Sequence, residues 1–230
     1  MKVRRLSNLA LSTCLLAAVA FTVATDAQAQ GNANFEAGIA AYQANDLPLA
    51  YKAFLAGARE GHADSQFNVA LMYEQGIGVG KDEKEAVVWY GKAASQGSAA
   101  AQFNLGVLYE NGRGTQIDFE KANEWYRKAS VQGDALAIGN LGMLYVRGQG
   151  VKENKIAGAA LLLLSATLDR SPENHAKQNL SGTSGLTSEM VVAARALSEK
   201  FSNAKNLLVP LDQYLTDSDN STAKNSRPPY

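Results

Sequence analysis

Apolar residues recur three and four positions apart over Ala63 to Gln75, Ala99 to Asn111 and Ala135 to Arg147, with polar residues between them. In the middle stretch Ala101, Leu105, Leu108 and Tyr109 fall on one stripe, which predicts a helix that buries one face. Each helix would be only about 20 Å long. Helices of that length are marginal alone, so most of their stability has to come from packing against neighbours.

The three stretches are copies of one phrase. Asn68-Val-Ala-Leu-Met-Tyr73, Asn104-Leu-Gly-Val-Leu-Tyr109 and Asn140-Leu-Gly-Met-Leu-Tyr145 stand 36 residues apart. Gly76 and Gly78, Gly112 and Gly114, and Gly148 and Gly150 repeat at the same step, as do Gly61, Gly97 and Gly133 and the pairs Trp89-Tyr90 and Trp125-Tyr126. Each unit reads as helix, glycine turn, helix, glycine turn. A fixed period of this size means one supersecondary unit copied and stacked, which directs attention to a surface built by stacking. Asp82, Asp118 and Asn154 are placed to accept from the free amides of the second helix of each unit, and Glu85 follows Asp82 as in a capping box. Gly97 and Gly133 follow the second helix, where a left-handed residue is wanted.

The phrase Ala101-Gln-Phe-Asn-Leu-Gly-Val-Leu-Tyr-Glu-Asn-Gly-Arg-Gly114, with Lys121-Ala122 and Trp125-Tyr-Arg-Lys-Ala129 behind it, resembles the Sel1-like repeat of the tetratricopeptide class. The resemblance implies an all-α fold, a right-handed α/α superhelical solenoid of stacked helix-turn-helix repeats with a C-terminal capping helix. Repeats are expected at 62–97, 98–133 and 134–169, the last divergent because Leu161-Leu162 replaces Trp-Tyr and Ile138-Gly139 replaces Gln-Phe. Residues 30–61, with Gly38-Ile-Ala-Ala-Tyr42, Ala50 and Phe54, look like a degenerate helix pair. Capping helices are expected over 170–215. One of them spans about 188 to 203, capped by Thr187 and carrying Met190, Val191, Ala194 and Leu197, with Leu186 as a hydrophobic staple.

The two ends read differently. Lys2, Arg4 and Arg5, an apolar run from Leu9 to Val23, and Ala27-Gln-Ala29 describe a secretory signal peptide over residues 1–29, the alternative being an uncleaved anchor. An exported protein, periplasmic or secreted, is therefore expected. Leu11-Ser-Thr-Cys14 is a poor lipoprotein box, because most of the apolar run lies beyond the cysteine. Cys14 is the only cysteine, so the mature chain has no disulfide and relies on packing. Residues 216–230 are polar and expected to be disordered.

Charge narrows the classes of partner. The 22 basic and 22 acidic residues leave 19 against 21 once Lys2, Arg4, Arg5 and Asp26 of the leader are set aside, and no basic stripe suggests nucleic acid. Ser202-Asn-Ala-Lys205, Ser221-Thr-Ala-Lys224 and Ser218-Asp-Asn220 match motifs of penicillin-interacting enzymes, but without a Lys-Thr-Gly or a strand context. The glycines of Gly76-Ile-Gly-Val-Gly80 follow a helix and not a strand, so they serve a turn and not a phosphate. His62 and His175 are far apart in the array and have no cysteine partners. No cofactor, metal site or catalytic residue is expected, and the protein is read as a non-enzyme.

What remains is binding. If the helices align as in tetratricopeptide arrays, a groove would be lined by Phe67, Leu71 and Glu74, by Phe103, Val107 and Glu110, and by Gly139, Met143, Val146 and Arg147. Such a row suits an extended or helical peptide. Phe67, Phe103 and Met143 equally suit packing between helices. Asn68, Asn104 and Asn140 either hold a ligand backbone or tie one repeat to the next. The expected function is an exported protein-interaction adaptor of the cell envelope with a protein or peptide partner. A glycan-binding protein and a secreted hydrolase using Ser202 are the alternatives.

Overall fold

The structure, a computed structural model, describes residues 29–225. The expected leader therefore lies outside the described residues apart from Ala29, as do residues 226–230 of the tail. Among the described residues there are 11 helices and no strand. The chain divides into two compact units, up to Lys92 and from Ala93 onward.

The first unit opens with α1 (29–43) and α2 (Leu47–Arg59), followed by α3 (Ala63–Gln75) and most of α4 (Glu83–Ser95). Gly38 of α1 leaves room for the ring of Phe54, since a Cβ there would lie 2.5 Å from it. Phe54 is buried, and Phe35 packs on it with ring centroids 5.8 Å apart. The α2 and α3 helices pack side by side. The buried amide of Gln66 donates to the carbonyl of Ala58 at the end of α2, which also accepts from the Gly61 amide, and so ties the start of α3 to the end of α2.

The second unit holds α5 (Ala99–Asn111), α6 (Phe119–Val131), α7 (Ala135–Arg147) and α8 (Lys155–Leu168), each packed on the next. These bounds follow from the caps. Ser98, Asp118, Asp134 and Asn154 accept from backbone amides of the first turns, and Gly112 and Gly148 end α5 and α7 in the left-handed conformation. In each loop one backbone bond repeats: Asp82 to Tyr73 in the first unit, then Asp118 to Tyr109 and Asn154 to Tyr145. The core gathers Tyr126, Ile138, Leu141, Leu144 and Leu161.

Beyond α8 come α9 (Ala176–Gly182), α10 (Ser188–Asn203) and α11 (Leu208–Asn225). Thr187 caps α10 as expected, accepting from Met190, and Ala194, Leu197 and Phe201 bury one face against α8. The tail departs from expectation. Residues 216–225, expected to be disordered, continue the α11 helix. Leu211 is fully buried, and Tyr214 and Leu215 pack on the core of the second unit, so a few well-spaced apolar residues hold a helix that is otherwise polar. Arg127 adds a bidentate bond to Asp212, at 2.7 and 2.6 Å, and Lys152 pairs with Asp219.

Candidate functional site

Within the second unit α5 carries Phe103, Val107 and Glu110 at spacings of four and three, on one face of the helix. The ring of Phe103 leans on Tyr126 at 6.1 Å between centroids and 37° between planes. Val107 is partly buried against the core of this unit. Glu110 is partly buried, and its Oε2 accepts from the Tyr126 hydroxyl at 2.6 Å. Burial, followed by the charge of Glu110, pushes the Tyr126 phenol well above the ordinary tyrosine range.

The first unit repeats the arrangement. Phe67 lies 5.7 Å from Tyr90, the Tyr90 hydroxyl donates to Glu74 Oε2 at 2.7 Å, and Leu71 is partly buried. Both phenylalanines thus lean on a tyrosine of the following helix, and both glutamates serve as acceptors for it.

The third repeat changes all three partners together. Gly139, Val146 and Leu162 stand where Phe103, Glu110 and Tyr126 stand one period earlier. With the polar pair and the aromatic ring gone, α7 and α8 approach through glycines: a Cβ on Gly158 would lie 2.6 Å from the carbonyl oxygen of Gly142. Gly139 is buried beside Ser165. Met143 remains partly buried, and Arg147 is exposed in the last turn of α7 with no side-chain partner among the described residues.

The repeated asparagines divide. Asn140 Nδ2 donates to the Tyr126 hydroxyl at 3.1 Å and so ties one repeat to the one before it, whereas Asn68 bonds the carbonyl of Asp64 in its own helix. Sequence reasoning missed the link between Glu110 and Tyr126, although the signal was present. The 16-residue offset recurs as Glu74 and Tyr90, and in the third repeat both positions are apolar.

Other sequence candidates find plain roles. His62 caps α3, its Nδ1 accepting from the Ser65 amide at 3.2 Å. Ser202 and Lys205 are exposed near the end of α10, and Ser218 lies on α11. Gly78 presses on the start of α2, where a Cβ would meet the Leu47 carbonyl oxygen, so the glycine loop is a docking element of the fold. Among the described residues no His, Cys, Asp or Glu groups converge as a metal site would require, and no helix is long and apolar enough to cross a membrane.

The Sel1 repeat family model matches residues 63–98, 99–134 and 135–169. Among solved structures, a Sel1 repeat protein from Oxalobacter formigenes is 31% identical with a TM-score of 0.54, over 66% of this chain and 64% of its own. A protective antigen present in uropathogenic Escherichia coli strains and displaying an SLR fold is 26% identical with a TM-score of 0.52, over 81% of this chain and 48% of its own. The chain thus spans less than two thirds of either relative. No curated protein matches it.

Proposed function

Because this chain carries three Sel1 repeats across residues 63–169, we propose that it is an exported adaptor of the cell envelope that binds a protein or peptide on the first helices of the two repeats in its second unit. Sel1 repeat proteins generally mediate protein–protein interaction. The observation that carries the reading is the surface of the second unit, where Phe103, Val107 and Met143 stay partly exposed and Arg147 is unengaged. Apolar steps beside an unpaired guanidinium are what an extended or helical segment can use for area and orientation.

A peptide suits this surface better than a glycan. Sugar rings stack on flat aromatic faces that stand free, and the rings of Phe67 and Phe103 are tilted against Tyr90 and Tyr126. The adaptor acts by binding alone, without catalysis. Export is supported by the basic start, the apolar run and Ala27-Gln-Ala29.

The test is a photo-crosslinking side chain at Val107 of the full chain, produced in native envelopes, with a second at exposed Val192 of α10 as the control. A discrete adduct at Val107 that is absent at Val192 and weakened by Phe103→Ala is expected. Equal labelling at both positions, or none at Val107, would sink the assignment. Mass spectrometry of the mature N-terminus checks export separately, with a start at Gln30 expected.

A further inference from the structure

Resting on the peptide-binding reading, a second feature of the same unit specifies the chemistry of the peptide. A cavity of about 430 Å³ opens between the end of α7 and the α9 segment. Met143 and Val146 give it an apolar edge, Arg147, Lys155 and Glu153 give it charge, and side chains of α9 and of Thr183 and Ser184 behind it close the far wall. Two cations against one carboxylate leave a net charge of +1.

Neither cation is spent on the fold. Arg147 is exposed and has no side-chain partner among the described residues. Lys155 Nζ stands 3.5 Å from Glu153 Oε1, and the glutamate side chain is 54% exposed, a loose contact that an incoming anion can replace. Space beside the ammonium is kept open by Gly185, at φ +75°: a Cβ there would come within 3.0 Å of Lys155 Nζ. A guanidinium offers a planar fork to a carboxylate, and an ammonium offers a point charge from a second direction.

We propose that this cavity is a carboxylate pocket that receives an aspartate or glutamate side chain of the bound peptide, while the residue next to it rests on Met143 and Val146. The partner is therefore a segment in which an acidic residue adjoins an apolar one. An uncharged segment of the same shape gives up the contacts to Arg147 and Lys155 and binds on the order of tenfold more weakly.

Selection of phage-displayed random peptides on the full chain, and in parallel on its Arg147→Ala, Lys155→Ala double variant, tests this. Both side chains reach solvent, so the variant should keep the wild-type circular dichroism and melting temperature. Wild type is expected to enrich peptides with an acidic residue beside an apolar one, and the variant to keep the apolar preference and lose the acidic one. A synthetic winner should bind about tenfold more tightly than its Glu→Gln analogue on wild type and equally on the variant. Apolar enrichment without an acidic position, or an acidic preference that survives in the variant, overturns the pocket and leaves peptide binding standing. No enrichment on wild type overturns peptide binding itself, and the pocket with it.

Discussion

Tyr126 donates its phenolic proton to Glu110 across 2.6 Å while accepting from Asn140, so one buried oxygen joins α5, α6 and α7. A phenol enclosed in this way has no water to turn to if its acceptor is removed. Glu110→Ala is expected to lower the unfolding free energy by about 1–3 kcal/mol, the usual cost of a stranded buried donor. Glu110→Gln, which keeps a carbonyl acceptor, should lose less. Urea denaturation of the three proteins checks the order; equal stability of wild type and Glu110→Ala would show that the bond contributes nothing.

Alkaline pH should act through the same chemistry. Tyr126 is raised chiefly by burial, and Tyr51, raised by burial and by its 2.6 Å contact with Tyr73, moves from 10.0 to about 12. The neutral phenols are favoured in the folded state, so the unfolded chain loses protons first. The contribution of Tyr51 is complete below pH 10.0 and is lost as the pH rises through about 12, where it ionises in the folded protein, while that of Tyr126, raised further, persists to higher pH. Melting temperature measured against pH should be insensitive to these groups below that window and fall within it, and Tyr51→Phe should flatten the fall. An unchanged slope in that variant would remove Tyr51 from the account.

The docking of α11 can be loosened without disturbing the repeats. Arg127 occupies a position that is Gly91 one period earlier and Leu163 one period later, so its role is particular to this helix and not to the array. Its guanidinium reaches Asp212 and, at 3.3 Å, the Tyr145 hydroxyl. Asp212 is largely exposed, so Asp212→Ala should cost less than about 1 kcal/mol, whereas Arg127→Ala also removes the contact with Tyr145 and should cost more. Hydrogen exchange is the discriminating measurement. Amides of Leu208–Asn225 should exchange faster in Asp212→Ala, and those of Ala135–Arg147, whose Tyr145 keeps its bond from Arg127, should be unchanged.

The contrast between α11 and the repeats shows what the sequence could tell. Helix bounds such as Ala99–Asn111 were legible because the apolar stripe recurs at the 36-residue step and lies between recurring glycines, Gly97 before it and Gly112 after it. The α11 helix was not, because its polar composition matches a disordered tail, and its order depends on Leu211, Tyr214 and Leu215 finding a core that only the folded chain supplies. In the site, periodicity identified Phe103 and Glu110 as equivalent to Phe67 and Glu74 but could not say which neighbour each met. The cavity beside Arg147 was beyond reach for the same reason, since Gln178 to Ser184 carry no repeat and join it only through the fold.

Helical glycines should respond in opposite directions. On Gly158 an added methyl would fall 2.6 Å from the Gly142 carbonyl oxygen and 2.9 Å from the Val146 amide nitrogen, both backbone atoms that cannot step aside. Gly158→Ala is expected to destabilise by about 1–3 kcal/mol despite its better helix propensity. Gly91, in α4, has nothing within 4 Å of the same methyl, so Gly91→Ala should stabilise by roughly 0.5–1 kcal/mol. Thermal melts of both proteins test the pair.

The turn glycines separate into two kinds that look alike in sequence. Gly133, at φ +86°, has open space where a Cβ would be, so Gly133→Ala meets only the left-handed strain, roughly 1–2 kcal/mol. Gly150, at φ +65°, carries the same strain, but its Cβ would also lie 2.4 Å from the carbonyl carbon of Phe119, at the start of the preceding repeat's second helix. Relief there requires the loop to lift off α6, which breaks the contact by which one repeat seats on another. Gly150→Ala should therefore cost clearly more than Gly133→Ala in urea unfolding, and it should also raise hydrogen exchange in the first turn of Phe119–Val131. If the two variants proved equal, the loop glycines would serve only as turns, and stacking of the repeats would rest on the helices alone.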